Sequence, residues 1–306
     1  MLDTRRGIVY GILAYVMWGL FPLYWPLLRP AGAVEILAHR IAWSLVAVIA
    51  ILATRRHFSW VRPLLQQPRK LALLALAAGL VSVNWCTYIF AVNSGHVVEA
   101  SLGYFINPLV SVLFGVVVFR ERLRPFQWAA VALGTLAVLI LTLAHGRLPW
   151  IAIVLAVSFG IYGLIKKIVH MGAAESLAVE TLILFAPAFG YLVFLEHRGR
   201  AAFGHQGATQ AALLAAAGVI TAVPLMFFTA AAIRVPLSML GLLQYIAPTL
   251  QFLCGILVAH ERMPANRWIG FLVVWGALAV FSWDALRAAR GALATRRSAV
   301  AGTEPV

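Results

Sequence analysis

The stretch SLGYFINPLVSVLFGVVVFRER (101–122) recurs 140 residues later as GLLQYIAPTLQFLCGILVAHER (241–262). Ten of the 36 positions in 102–137 are identical to their counterparts in 242–277. The informative matches are Pro108 with Pro248, Gly115 with Gly255, Glu121 with Glu261 and Trp128 with Trp268. Because polar and helix-breaking residues match in order, we interpret the similarity as an internal duplication rather than a coincidence between apolar segments.

The composition indicates a membrane protein. Of the 306 residues, 63% are hydrophobic and 11% are charged, against roughly 45–50% and 25% in soluble globular proteins. This composition excludes a disordered chain and a small disulfide-built domain, and the apolar runs lack the alternation of an outer-membrane barrel. The formal net charge of +14 comes from bases in short gaps between apolar runs. We therefore expect a lipid bilayer as a partner, and no nucleic acid.

Ten apolar runs are long enough to cross a bilayer. The predicted membrane-spanning helices cover 8–28, 34–53, 71–92, 97–119, 126–144, 149–168, 177–195, 210–232, 236–259 and 267–285. Each repeat then holds five helices, the first within 7–144 and the second within 149–285. A short N-terminal tail (1–6) precedes them, and a basic C-terminal tail (286–306), for which we predict disorder, follows.

The odd number of helices in each repeat inverts the second repeat relative to the first. Inverted repeats place a binding site near the bilayer midplane, at the repeat interface. With a cytoplasmic N-terminus, 17 Lys and Arg residues fall on the cytoplasmic side and six on the other side, as the positive-inside rule requires. The prediction is an all-α integral membrane protein of two inverted five-helix repeats around a central cavity, with both termini in the cytoplasm.

Five segments carry a resemblance to a known family: GILAYVMWGLFPLYW (11–25), EILAHRIAWS (35–44), NWCTYIFAVNSG (84–95), VEASLGYFINPLVSVLFG (98–115) and GLLQYIAPTLQFL (241–253). Together they resemble the RarD proteins of the EamA branch of the drug/metabolite transporter superfamily. The spacing of 13 residues between Pro108 and Glu121, and between Pro248 and Glu261, is similar to the general EamA repeat. The resemblance implies a ten-helix carrier of small molecules in a bacterial inner membrane. It identifies neither the substrate nor the oligomeric state.

Polar and aromatic side chains within the spans, most of them near mid-depth and Glu99 nearer the outer end, are the candidates for contact with a small-molecule substrate, because a polar group that faces lipid is costly. The candidates are Trp18, Asn84, Tyr88, Glu99, Tyr104, Asn107, Tyr162, Gln244, Tyr245 and Gln251. Pro108 and Pro248 are predicted to break their helices and to free carbonyls one turn earlier. The alternative role of these polar residues is hydrogen bonding between helices. Aromatic residues at helix ends are assigned to interface belts, namely Tyr10, Tyr24, Trp25, Trp60, Trp150 and Trp283.

A second set of candidates is ionisable. Glu35 and His39 lie four residues apart on one helix face, with Arg40 beside them, and this group predicts an ion-responsive or anion-binding entrance. Glu180 matches Glu35 in the repeat. If protons drive transport, the residue that changes charge is expected to be Glu35, Glu99 or Glu180. The alternatives are favourable acids near helix starts for Glu35 and Glu180, and a salt bridge between two helices for Arg40.

These features favour a secondary carrier that works by alternating access on a small polar or amphipathic solute. The chain has no Gly-Lys-Ser/Thr phosphate loop and no GxSxG elbow, so we expect neither an ATP-driven pump nor an enzyme. We also expect no cofactor and no metal site. The ten acidic residues are dispersed, which disfavours an intramembrane enzyme. The remaining alternative is a non-transporting sensor or assembly subunit, and a measurement of flux separates it from a carrier.

Overall fold

The computed structural model describes residues 2–93, 97–145 and 150–258, together with seven single positions between 272 and 283. The described residues form helices and connecting turns, with no strand among them. The predicted tenth span (267–285), apart from those seven positions, and the C-terminal tail lie outside the described residues.

Eleven α-helices occur within the described ranges. They are α1 Leu2–Gly19, α2 Ala33–Thr54, α3 Val61–Leu65, α4 Pro68–Asn93, α5 Val97–Phe119, α6 Pro125–His145, α7 Trp150–Val169, α8 Ala173–His197, α9 Ala208–Ala232, α10 Leu237–Leu243 and α11 Ile246–Leu257. In this part of the chain, α1, α2, α4, α7, α8 and α9 are long and apolar enough to cross a membrane. The short helix α3 lies in a connection that was not predicted to be helical.

The first helix ends earlier than predicted. α1 stops at Gly19, and the chain continues as two 3₁₀ turns, Phe21–Leu23 and Trp25–Leu28. Pro22 and Pro26 explain the change, because each lacks an N–H and its ring disfavours α-helical geometry in the preceding turn. The prediction of a continuous helix over 8–28 is therefore wrong in its last part.

The two prolines that match in the repeat have different surroundings. α5 continues through Pro108, so the predicted helix break at that proline is wrong. In the second repeat the chain is interrupted at Gln244 and Tyr245, between α10 and α11, one turn before Pro248. Because Pro248 has no N–H, the Gln244 carbonyl has no α-helical donor. It accepts instead from the Ala247 N–H at 3.2 Å.

The helices pack around a shared core. α1 lies against α9 and α11, and α7 lies against α4 and α5, while α2 contacts α8 and α9 and α5 contacts α10. Small residues allow two of the crossings. A Cβ on Gly19 would lie 2.6 Å from Cβ of Leu250, and one on Gly160 would lie 2.6 Å from Cγ1 of Val110. Val110 and Leu250 are equivalent positions of the repeat, so the two crossings correspond.

Candidate functional site: a polar cavity between the helices

A cavity of about 190 Å³ lies inside the helix bundle. Side chains from α1, α2, α4, α5, α7, α9 and α11, together with the two breaks that follow α1 and α10, form its wall. Its polar lining consists of Tyr15, Arg40, Asn84, Tyr88, Tyr104, Asn107, Gln244 and Gln251. Its other lining residues are Trp18, Phe21, Pro22, Trp25, Trp85, Phe159, Leu225, Ala247 and Pro248. The cavity is therefore rich in aromatic rings and amides and has one cationic side chain.

The structure places seven of the ten predicted substrate-contact residues on this wall. They are Trp18, Asn84, Tyr88, Tyr104, Asn107, Gln244 and Gln251. The side chain of Glu99, in α5, lies outside the described residues. Tyr162 and Tyr245 are fully buried away from the cavity: the Tyr162 hydroxyl donates to Glu180 at 3.1 Å, and the Tyr245 hydroxyl lies against Gly134 of α6.

Two of the cavity amides also join helices. The Asn84 side chain donates to the Leu155 carbonyl at 2.9 Å and to the Ser158 hydroxyl at 3.0 Å, which ties α4 to α7. The Gln251 side chain donates to the Trp18 carbonyl at 3.2 Å, which ties α11 to α1. These bonds use amide N–H groups, so each residue lines the cavity and also holds two helices together.

Arg40 lies on the cavity wall about 10 Å from the start of α2, since seven residues separate it from Ala33. Its Nε donates to the Thr221 hydroxyl of α9 at 2.9 Å. Its Cζ lies 4.8 Å from the Trp25 ring centroid and 4.7 Å from that of Trp85. The predicted alternative, a salt bridge from Arg40 to another helix, is not found among the described residues.

Glu35 and His39 do not line this cavity. Glu35 is 2% exposed, and its Oε1 accepts from the N–H groups of Ala202, at 2.6 Å, and Phe203, at 3.3 Å. The His39 ring packs on the Phe203 ring, with centroids 4.7 Å apart. His39 instead lines an apolar crevice of about 380 Å³ between α2 and α8. Glu35 therefore anchors the loop after α8, and the predicted entrance contributes only Arg40 to the cavity.

Glu180 lies in a buried charged cluster. Its carboxylate forms an ion pair with Lys166 of α7 and accepts from the Ser176 hydroxyl at 2.9 Å and from Tyr162. Lys166 and Glu180 are 1% and 2% exposed, so both charges are removed from solvent. Lys166 was not singled out from the sequence, because it was only counted among the 17 basic residues on the cytoplasmic side.

A second charged group lies at the same end of the bundle as the Lys166–Glu180 pair. At this end α1, α8 and α10 begin and α5 and α7 end, and we call it the charged end. Glu121 accepts from the Leu237 N–H at 2.7 Å and the Ser238 N–H at 2.9 Å, at the start of α10. Lys167 lies 3.5 Å from Glu121 and donates to the Val235 carbonyl at 2.6 Å. Glu121 is thus structural: its partners are this lysine and two backbone amides.

Five aromatic residues of the cavity were missed. Tyr15, Phe21 and Trp85 were not singled out, and Trp25 was assigned to an interface belt, which is wrong because the early end of α1 brings it onto the cavity wall. Phe159-Gly160 aligns with Trp18-Gly19 at a spacing of 141 residues, and the Phe159 and Trp18 rings meet edge to face, with centroids 5.6 Å apart. This match is the sequence signal that could have identified Phe159. Within the described residues there is no group of three His, Cys, Asp or Glu that could hold a metal ion.

Comparisons with known proteins agree with the sequence resemblance. The profile of the EamA-like transporter family matches residues 5–143. The chain is 60% identical to Protein RarD of Streptomyces exfoliatus over 94% of this chain and 91% of that protein. It is 41% identical to Protein RarD of Escherichia coli over 93% of this chain and 96% of that protein. It is also 45% identical to an uncharacterised transporter of Pseudomonas aeruginosa, over 94% and 97% of the two chains.

Among the solved structures that are similar in fold is a crystal structure. It aligns with a TM-score of 0.70 at 18% identity and covers 90% of this chain and 97% of its own. Apolar helices of membrane-crossing length, arranged around an internal polar cavity, define a multi-pass membrane protein of the transporter class. The chain belongs to the EamA-like transporter family and, within it, to the RarD proteins.

Proposed function

We propose that this transporter is a secondary carrier that moves a small polar or amphipathic solute across the bacterial inner membrane by alternating access. The observation that carries the proposal is the polar cavity inside the bundle, to which helices from both halves of the chain contribute side chains. Buried polar groups in a membrane protein are costly unless they have partners or a function. A solute that enters this cavity would supply such partners.

The helix contacts support two inverted five-helix repeats. In the duplication α1 corresponds to α7, α2 to α8, α4 to α9, and α5 to α10 with α11. α1 contacts α9, and the equivalent helices α7 and α4 are also in contact. Likewise, α1 contacts α11, and the equivalent helices α7 and α5 are in contact. The contact of α2 with α9 corresponds to that of α8 with α4. A two-fold axis between the halves accounts for this pattern.

The cavity is consistent with the same axis. Equivalent positions of the repeats contribute to its wall in pairs: Trp18 with Phe159, Tyr104 with Gln244, and Asn107 with Ala247. A site shared between inverted repeats can open to either side when one repeat rocks against the other. The paired lining therefore favours a carrier over a sensor, which has no need of a site reached from both sides.

One end of the bundle is closed and the cavity extends toward the other end, as expected for one state of an alternating-access cycle. Ion pairs close the charged end, namely Lys166 with Glu180 and Lys167 with Glu121. The cavity extends toward the opposite end, where Phe21 and Trp25 lie beyond the end of α1. With the termini placed in the cytoplasm, this arrangement is a carrier closed on its cytoplasmic side.

Counterflow in proteoliposomes tests the proposal. Vesicles that contain the purified protein are loaded in turn with amino acids, amphenicols and other small metabolites, and the uptake of the labelled compound is measured. We expect saturable counterflow for at least one class. Asn107→Leu, which removes a cavity amide at similar size, should abolish that flux, whereas Thr135→Val on the exposed face of α6 should not. Folded protein without saturable flux of any compound would favour the sensor alternative.

A further inference from the structure

Arg40 has fewer partners than its charge and donors require. A guanidinium has five N–H donors and remains charged in proteins. Within the described part of the chain, one of these donors is used, by the Thr221 hydroxyl at 2.9 Å. The contacts of Cζ with the Trp25 and Trp85 rings are cation–π contacts, which satisfy no N–H donor.

No carboxylate of the described residues neutralises this cation. The described ion pairs involve other basic residues, and Glu35, the acid nearest in sequence, is occupied by the amides of Ala202 and Phe203. A cation held inside a membrane protein is expensive unless an anion or water faces it. Since Arg40 lines the cavity and no described carboxylate faces it, a solute in the cavity can supply the anion.

The rest of the wall indicates the shape of the molecule that supplies it. The rings of Trp18, Tyr88, Tyr104 and Phe159 surround a space of about 190 Å³, which suits a small molecule with a flat apolar body. A single guanidinium matches a single carboxylate, which it can bind through two parallel hydrogen bonds. A dianionic phosphate would leave one charge without a partner.

We infer that the solute of this cavity is a small carboxylate with a flat or aromatic body, and that its carboxylate binds Arg40 beside Trp25 and Trp85. The inference deepens the proposed function and rests on it for the statement that the bound molecule is transported. The binding itself is independent of transport. Arg40 is then the residue that selects solutes by the sign of their charge.

Three compounds that share one ring and one chain length test the sign of the charge. They are 3-phenylpropionate, 3-phenylpropan-1-ol and 3-phenylpropylamine, each titrated into the detergent-solubilised protein by calorimetry. We expect the carboxylate to bind at least about tenfold more tightly than the alcohol, because a hydrogen-bonded charge pair contributes that much. The amine should bind more weakly than the alcohol. No binding of the carboxylate, or equal binding of all three, would overturn the inference.

Variants separate charge recognition from packing. Arg40→Gln should remove the preference for the carboxylate and leave the affinity for the alcohol unchanged. Arg40→Lys should keep the order of the three compounds with weaker binding, because an ammonium lacks the planar fork. Thr221→Val, which removes only the bond to Nε, should also keep the order. The matched control Arg62→Gln, on the exposed helix α3, should change nothing.

The binding and counterflow measurements together decide between the inference about Arg40 and the proposed function. A folded Arg40→Gln protein that still prefers the carboxylate would overturn the inference. If that variant does not fold, the order measured for the wild type and for Arg40→Lys still decides. Carboxylate binding without counterflow would contradict the proposed function alone. Counterflow of solutes without any preference for carboxylates would contradict this inference alone.

Discussion

Glu35 and Glu180 occupy matching positions in the two halves of the chain, yet their surroundings differ. Both are 2% exposed. Glu35 accepts hydrogen bonds from two backbone N–H groups of the loop after α8. Glu180 forms an ion pair with Lys166 and accepts from Ser176 and Tyr162. One carboxylate is thus stabilised mainly by neutral dipoles, and the other by a full positive charge.

This difference shows how a duplicated residue can acquire two tasks. Amide dipoles stabilise the charge of Glu35 without a cation, and they also fix the loop in place. The charge of Glu180 depends on Lys166, so a change in either partner leaves the other unpaired in apolar surroundings. Of these two acids, we therefore assign the role of proton-coupling candidate to Glu180, whereas Glu35 holds structure at the opposite end of the bundle.

The largest effect is expected from breaking the Lys166–Glu180 pair. Lys166→Met leaves an unpaired buried carboxylate, and we expect a loss of about 3–5 kcal/mol of stability. The measurement is thermal or denaturant unfolding of the detergent-solubilised protein. Lys167→Met, at a pair that is 19% and 13% exposed, is the matched control and should cost less. A double variant, Lys166→Met with Glu180→Leu, should recover much of the loss.

A smaller loss is expected at Glu35. Glu35→Gln keeps an acceptor but weakens the two bonds from Ala202 and Phe203, which should cost about 1.5–3 kcal/mol, the value of hydrogen bonds to a charged group. Limited proteolysis of the loop over 198–207 should accelerate in parallel. If Glu35→Gln proved as damaging as Lys166→Met, the contrast between the two acids would be lost.

The two acids should also differ in the pH response of transport. If protons drive transport, counterflow should depend on pH in the wild type and in Glu35→Gln, and should lose that dependence in Glu180→Gln, because an amide at position 180 cannot take up a proton. The expected difference is on the order of tenfold in rate, which corresponds to about 1.4 kcal/mol. The readout is initial counterflow rate against pH for the three proteins. A Glu180→Gln protein with an unchanged pH profile would remove Glu180 as the coupling residue.

The smallest effect is expected at the edge of the Glu180 cluster. Tyr162→Phe removes one hydrogen bond to a carboxylate that keeps Lys166 and Ser176, so we expect a loss of about 0.5–1.5 kcal/mol. The binding of 3-phenylpropionate should be unchanged, because Tyr162 does not line the cavity. Altered binding would indicate that Tyr162 contacts the substrate, as the sequence predicted, and would contradict its assignment to the Glu180 cluster.

The sequence was sufficient to locate nine of the ten predicted spans as helical segments, because their apolar runs are long and bounded by charges or breakers. The single helix predicted over 236–259 is wrong, because the chain divides there into α10 and α11. The sequence also identified most of the polar residues of the cavity wall, because a polar side chain at mid-depth is costly in contact with lipid and therefore faces the interior of the bundle. It could not give the direction in which each helix turns toward its neighbours. For that reason Tyr162 and Tyr245 were placed in the cavity, whereas Trp85 was overlooked beside Asn84.

Local interruptions of the helices account for other differences between the sequence predictions and the structure. Trp25 lines the cavity because two prolines end α1 early, and the break before Pro248 has no equivalent at Pro108. The partners of Glu35 and Glu180 lie far away in sequence or at a helix end, so spacing could not distinguish a loop anchor from a buried ion pair. The helix contacts pair in the way that the duplication predicts, and the inverted arrangement in the membrane stays a prediction.

Access to the cavity from both sides is the most direct test of the account. In a protein with Cys86 and Cys254 replaced by Ala, Ala247→Cys places one small thiol on the cavity wall. Right-side-out and inside-out vesicles are exposed to a membrane-impermeant thiol reagent. The account predicts labelling from both sides, slowed by 3-phenylpropionate, and no labelling of Ala130→Cys in the buried core. Labelling of Ala247→Cys from one side only, under every condition, would contradict it.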